Sequence, residues 1–85
     1  MNFSVVVEVS LRPGIADPQG ATIERALPAL GFNGVSDVRA GKAFRLTVDA
    51  PNEQEALAKA RSLAERLLSN PVIEQSSVRV ATLSQ

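Results

Sequence analysis

Alternating apolar and polar residues predict strands near both ends of the chain and in its middle. Every second side chain of residues 3–11 is apolar and most of these are valine, so one face of a strand there is buried. The same period recurs on both sides of Gly41, and again around Val78 and Val80. Since glycine suits a tight turn, residues 38–50 predict a β-hairpin that turns at Gly41 and Lys42.

The segment after the first strand has the spacing of an amphipathic helix. Asp17 is placed to cap its first turn, and Pro18 suits the first helical position. Gly31 fits the left-handed residue that follows a helix. Pro28 removes a backbone donor inside the segment, which predicts a short helix bent near that residue.

A second helix is predicted after the hairpin. Asn52 and Glu55 have the spacing of a capping box, and Pro71 marks the end of the helix. Several alanines lie on its apolar side, so this helix can approach a sheet closely. Residues 72–81 predict the last strand, and residues 82–85 a tail.

The order β-α-β-β-α-β predicts a single α+β domain over residues 1–85 with a ferredoxin-like plait. Right-handed crossovers would place both helices on one face of an antiparallel four-stranded sheet. The opposite face would be mixed in character, and open sheet edges invite pairing, so we expect dimerisation to complete or cover the sheet. That face would carry Val6, Glu8, Arg45, Thr47, Ser77 and Arg79.

Composition narrows the possible chemistry. The chain of 85 residues contains no cysteine and no histidine, which excludes thiolate or imidazole metal sites and nucleophile–histidine pairs. Nine basic and nine acidic residues give zero net charge, which argues against nucleic-acid binding. The sequence has neither a secretory signal nor an apolar run that could span a membrane, so we expect a cytoplasmic protein.

No segment has the pattern of a nucleotide-binding loop or a catalytic carboxylate pair. Gly20 follows Asp17 at a helix start, which resembles an anion-binding site, but the negative charge of Asp17 favours a capped helix instead. Arg39 and Lys42 flank the predicted turn and fit either a solvated turn or a docking contact. Phe44 is expected on the inward face of its strand. The residues alone therefore favour a subunit or binding module.

Three segments resemble the PurS family, the small subunit of phosphoribosylformylglycinamidine (FGAM) synthase. The similar residues are 9–20, 35–42 and 67–74. Their most specific strings are Asp-Pro-Gln-Gly at 17–20 and Val-Ser-Asp-Val-Arg-Ala-Gly-Lys at 35–42.

The resemblance implies a role in de novo purine synthesis. The FGAM synthase complex is a ligase that forms a C–N bond, using ATP, Mg²⁺ and glutamine. The glutaminase PurQ releases ammonia, and the synthetase PurL binds ATP and performs the amidation. The chain would join PurQ to PurL as a homodimer or homotetramer and assist ammonia transfer, with no active site, metal or cofactor of its own. The expected docking residues are Asp17, Gln19, Gly20, Arg39, Gly41 and Lys42.

Two other classes share the predicted strand and helix order. An ACT-like regulatory domain would bind an amino acid or another small molecule. An RNA-binding plait would need exposed aromatic residues and a basic surface, neither of which the sequence predicts.

Overall fold

A computed structural model describes residues 1–81, which form a three-stranded antiparallel sheet with two helices. The central strand is β1 (Asn2–Leu11). It pairs along one edge with β2 (Gly41–Asp49) and along the other with β3 (Glu74–Val80). The predicted tail at residues 82–85 lies outside the described residues.

The valines of β1 form the centre of the core. Val5, Val7 and Val9 are almost completely buried on one face of the sheet, as the alternating pattern predicts. The helix α2 (Glu53–Leu63) packs on that face through alanines, and their small side chains allow a close approach. The buried cluster comprises Val5, Val7, Val9, Val48, Ala50, Ala56, Ala60 and Ala64.

The capped start of α2 follows the sequence prediction, whereas the α-helix ends earlier than Pro71 suggests. Asn52 Oδ1 accepts a hydrogen bond of 2.9 Å from the backbone N–H of Glu55. Beyond Leu63 the helix widens into a π-turn (Ala64–Leu68). The carbonyl of Ala64 there accepts both the backbone N–H and the hydroxyl of Ser69, each at 2.9 Å.

The first helix, α1 (Pro18–Ala26), is shorter than its apolar pattern suggests. A 3₁₀ turn (Pro28–Leu30) follows it, because Pro28 lacks the N–H that would continue the α-helix. Gly31 adopts the left-handed conformation with φ of 89°, and Phe32 N–H donates to the Leu27 carbonyl at 3.0 Å. Gly31 is therefore the left-handed residue that the sequence predicts, and it follows the 3₁₀ turn instead of the α-helix itself.

The predicted hairpin at residues 38–50 is wrong. Its second half is β2, but β2 pairs with β1, and residues 38–40 form no strand. Their alternation has another cause: Val38 and Ala40 are half-buried and Arg39 is exposed. The backbone N–H groups of Val38 and Ala40 donate to side chains of the α1 region instead of to a strand.

The four-stranded plait with both helices on one face is also not what the structure contains. Residues 1–81 form three strands, and only α2 makes substantial contact with them. The single buried residue of α1 is Gly20, which lies against the Val38 carbonyl of the segment that leads into β2. The molecule is consequently thin, and its backbone extends over 50 × 34 × 14 Å. No helix in the described part is long and apolar enough to span a bilayer.

Candidate functional site

The structure brings the two predicted docking segments together at one end of the sheet. Residues 17–20 form the start of α1, and residues 39–42 lead into β2. A cavity of ≈ 370 Å³ lies where these segments meet the end of β1. Four of the six expected docking residues line it, namely Asp17, Gln19, Gly41 and Lys42.

The carboxylate of Asp17 joins the two segments. Its Oδ1 accepts a hydrogen bond of 3.0 Å from Gly20 N–H, and its Oδ2 accepts one of 2.8 Å from Ala40 N–H. These two bonds lower the pKa of the Asp17 carboxyl below its ordinary value, and the nearby charge of Arg39 acts in the same direction. The sequence predicted the cap, whereas the bond to Ala40 depends on the tertiary fold.

Any residue larger than glycine would clash with its neighbours at position 20. A Cβ atom on this residue would lie 2.4 Å from the Val38 carbonyl oxygen and 2.6 Å from Asp17 Oδ2. The glycine therefore permits the close contact between the first turn of α1 and the segment that leads into β2.

Gly41 is the first residue of β2 and does not form the predicted turn. A Cβ atom there would lie 2.8 Å from the Val9 carbonyl oxygen of β1. Glycine is thus suited to this position because two strands approach closely, and Gly41 is not among the residues with positive φ.

Lys42 reaches across the end of β1 to β3. Its Nζ lies 3.9 Å from Glu74 Oε2, and it also lies 5.9 Å from the centre of the Phe44 ring. Glu74 Oε1 accepts a hydrogen bond of 2.7 Å from Asn70 N–H. Glu74 was not predicted as a site residue, since its ion-pair partner Lys42 comes from a distant part of the chain.

Two further residues stabilise this end of the molecule through hydrogen bonds. Neither was identified from the sequence. Glu24 of α1 accepts a hydrogen bond of 3.0 Å from Val38 N–H. The Nε of Arg12 donates to the Pro71 carbonyl at 2.9 Å, which ties the loop after β1 to the segment before β3. Neither contact has a sequence signal, because a single charged residue on a helix or in a loop does not indicate its partner.

The face of the sheet opposite α2 has the mixed character that the alternation predicts. Val6 is buried at its centre, and the register places Arg45 and Arg79 on either side of it. Arg79 lies 4.0 Å from Glu8. A cavity of ≈ 690 Å³ occupies the end of this face nearest the docking segments, and Arg39 and Lys42 contribute to its lining.

A third surface is apolar and lies along α1 and the residues that follow it. Leu30 is 70% exposed and Phe32 is 56% exposed, although both belong to the apolar pattern of this segment. Ile23 and Val35 are exposed as well. Large side chains of this kind usually mark an interaction surface when they occur together.

The acidic side chains at this end of the molecule have structural partners. Residues 1–81 contain neither a buried charged residue nor a group of acidic side chains that could hold a metal ion. Asp17 and Glu24 accept hydrogen bonds from the backbone of residues 38–40. Glu74 forms an ion pair with Lys42.

Comparisons with known proteins identify the family. A family model described as "PurS: Phosphoribosylformylglycinamidine (FGAM) synthase" matches residues 4–82. The chain is 48% identical to the PurS subunit of Mycobacterium leprae over 73 residues, which are 86% of this chain and 89% of that one. It is 39% identical to the PurS subunit of Synechocystis over 77 residues, which are 91% of this chain and 77% of that one.

Solved structures agree in fold. The crystal structure of the Thermotoga maritima PurS subunit matches with a TM-score of 0.87 at 36% identity, covering 95% of this chain and 93% of that one. A chain in the structure of PurLQS from the same organism matches with a TM-score of 0.86 at 36% identity, covering 95% and 99%. The chain therefore belongs to the PurS family of FGAM synthase subunits.

Proposed function

We propose that this chain is the accessory subunit of an FGAM synthase complex, in which it joins the glutaminase PurQ to the synthetase PurL. The observation that carries the proposal is the match, over nearly all of both chains, to a subunit within PurLQS. The complex would convert formylglycinamide ribonucleotide to formylglycinamidine ribonucleotide with ATP, Mg²⁺ and glutamine. This chain would bind none of these and would contribute no reacting group.

The need for such a subunit follows from the chemistry of ammonia. Ammonia released into water is protonated and diffuses away, so it must pass between the two active sites without meeting bulk solvent. A subunit that fills the space between two larger proteins excludes water from their junction. A sheet backed by a closely packed helix is a rigid element for this purpose.

We assign the docking contacts to the end of the molecule where residues 17–20 meet residues 39–42. This assignment is supported by the exposure of Gln19, Arg39 and Lys42 on segments whose backbone is held by side-chain hydrogen bonds. A surface that is ordered before binding loses less conformational entropy when a partner docks.

The same proposal includes a homodimer or a homotetramer. The apolar surface along α1 and the outer edges of β2 and β3, which have no partner strand within residues 1–81, support it. A chain of 85 residues also buries a small core, and its largest fully buried side chains are valines. Covering apolar surface with a second copy would stabilise such a fold.

Reconstitution tests the function. PurL and PurQ from one organism are combined with and without this chain. The rate at which formylglycinamidine ribonucleotide forms is measured with glutamine as the nitrogen source, and separately with ammonium chloride. We expect the chain to be required with glutamine and dispensable with ammonium. Equal glutamine-dependent rates without the chain would contradict the proposal, as would hydrolysis of glutamine or ATP by the purified chain alone.

A further inference from the structure

The backbone on both sides of Arg39 is fixed by acidic side chains of the α1 region. Asp17 accepts the N–H of Ala40 at 2.8 Å, and Glu24 accepts the N–H of Val38 at 3.0 Å. The Val38 carbonyl packs against Gly20, where no Cβ would fit. Three contacts therefore hold the residues adjacent to Arg39, while the arginine itself is exposed.

The charged residues near Arg39 on the open face of the sheet, within residues 1–81, form ion pairs with other residues and not with Arg39. It lines the ≈ 690 Å³ cavity on the open face of the sheet together with the charged residues Glu8 and Lys42. Glu8 lies beside Arg79 at 4.0 Å, and Lys42 lies beside Glu74 at 3.9 Å. Among residues 1–81, no carboxylate lies within ion-pairing distance of the Arg39 guanidinium, and it makes no hydrogen bond there.

The surroundings of Arg39 favour a ligand group with a single negative charge. A guanidinium forms two parallel hydrogen bonds with a carboxylate, and a fixed backbone reduces the entropy lost in forming them. Asp17 is close enough for its pKa to respond to Arg39, and Glu8 lines the same cavity. Glu8 and the cavity-lining Lys42 each have an ion-pair partner, in Arg79 and Glu74. The charge of Asp17 therefore remains, and it disfavours a phosphate dianion more than a carboxylate.

We propose that Arg39 is the docking cation of this subunit, and that it receives a carboxylate side chain of a partner subunit of the complex. Asp17 and Glu24 act as positioning residues, since they hold the backbone that presents the guanidinium. The inference rests on the proposed function and specifies the chemistry of one contact in it. The polar side chains at the floor of the cavity, Ser10, Gln75 and Ser77, complete the surface that the partner covers.

The test measures the affinity of this chain for PurL and PurQ with ATP and glutamine present, over a series of salt concentrations. The variants are Arg39→Ala, Arg39→Lys and the control Arg61→Ala, which removes an exposed arginine of α2. We expect Arg39→Ala to weaken assembly at least about tenfold and to flatten its salt dependence, because truncating one partner of a docked charge pair has effects of this size. Arg39→Lys should be intermediate, and Arg61→Ala should stay within about twofold of the parent.

The outcomes separate the two proposals. If the parent chain assembles and Arg39→Ala assembles with the same affinity and salt dependence, the role of Arg39 is refuted and the proposed function stands. If the parent chain does not assemble at all, the proposed function fails. Circular dichroism of Arg39→Ala confirms that the variant is folded, as expected for an exposed side chain without described contacts.

Discussion

The carboxylate of Asp17 and the backbone N–H of Ala40 are 23 residues apart in sequence and 2.8 Å apart in the structure. The bond joins the first turn of α1 to the segment that leads into β2. Since α1 makes little contact with the sheet, this bond and the one that Val38 N–H donates to Glu24 are the main polar contacts between α1 and the segment before β2.

Replacing Asp17 by asparagine separates the two roles of this side chain. Asparagine still caps α1, because its oxygen accepts Gly20 N–H, but its amide nitrogen cannot accept Ala40 N–H. We expect a lower free energy of unfolding at pH 7 and faster hydrogen exchange at the Ala40 amide. Urea titration and NMR measure the two effects.

The same variant has a defined pH dependence. The pKa of Asp17 is lowered in the folded state, so its contribution to stability is present above the unfolded value and is lost as the pH falls through the folded value. The stability gap between parent and Asp17→Asn should therefore close below about pH 4, the ordinary range of an aspartate. A gap of equal size at pH 3 and pH 7 would contradict this assignment. Glu65→Gln is the control, since Glu65 is exposed and has no described partner.

Substituting alanine for Gly20 should destabilise the protein although alanine favours helices. Helix propensity offers a gain of at most about 1 kcal/mol, whereas forced overpacking costs about 1–3 kcal/mol. The added Cβ would lie 2.4 Å from the Val38 carbonyl oxygen, so we expect a net loss of stability. Denaturant titration measures it, and Gln19→Ala, at an exposed position of the same turn, should change stability by less than about 0.5 kcal/mol. A Gly20→Ala variant as stable as the parent would show that the contact relaxes freely.

The close packing of α2 on the sheet predicts different effects at two alanines of that helix. Ala60 is 1% exposed against the valines of β1, whereas Ala58 faces solvent. Ala60→Leu should lower the free energy of unfolding by about 1–3 kcal/mol through overpacking, and Ala58→Leu should leave it nearly unchanged. Equal losses of stability in the two variants, measured by thermal or urea unfolding, would mean that α2 is not closely packed on the sheet.

The apolar surface along α1 predicts the behaviour of the chain in solution. If a second copy covers this surface, Leu30→Glu should shift the oligomer towards the monomer, because an exposed side chain can be charged without disturbing the monomer fold. Analytical ultracentrifugation over a concentration series measures the change. Val72→Glu is the matched control, since Val72 is also highly exposed but lies before β3. Dimers of unchanged affinity in Leu30→Glu would place the interface elsewhere.

Local signals in the sequence predicted the parts of the fold that depend on near neighbours. The caps at Asp17 and Asn52, the left-handed Gly31 and the buried valines of β1 are confirmed. Each depends on a few residues along the chain and on the period of the secondary structure.

The partners of residues 38–40 could not be predicted in the same way. An extended segment packed beside a helix has the same alternation as a strand, so Val38 and Ala40 suggested half of a hairpin. What distinguishes the two arrangements is the group that accepts the backbone N–H, and the acceptors are carboxylates 14 and 23 residues away. The six expected docking residues were identified as two separate segments, and only the fold shows that the segments adjoin.

The backbone of the molecule extends only 14 Å along its shortest axis, because one sheet and one helix layer make up its depth. With only two layers, the position of α2 sets the shape of the face that it covers. A bulky side chain inserted between α2 and the sheet would move the helix outward, since a closely packed interface has no space to absorb it. The change would then appear on the outer surface of the helix, away from the substituted residue.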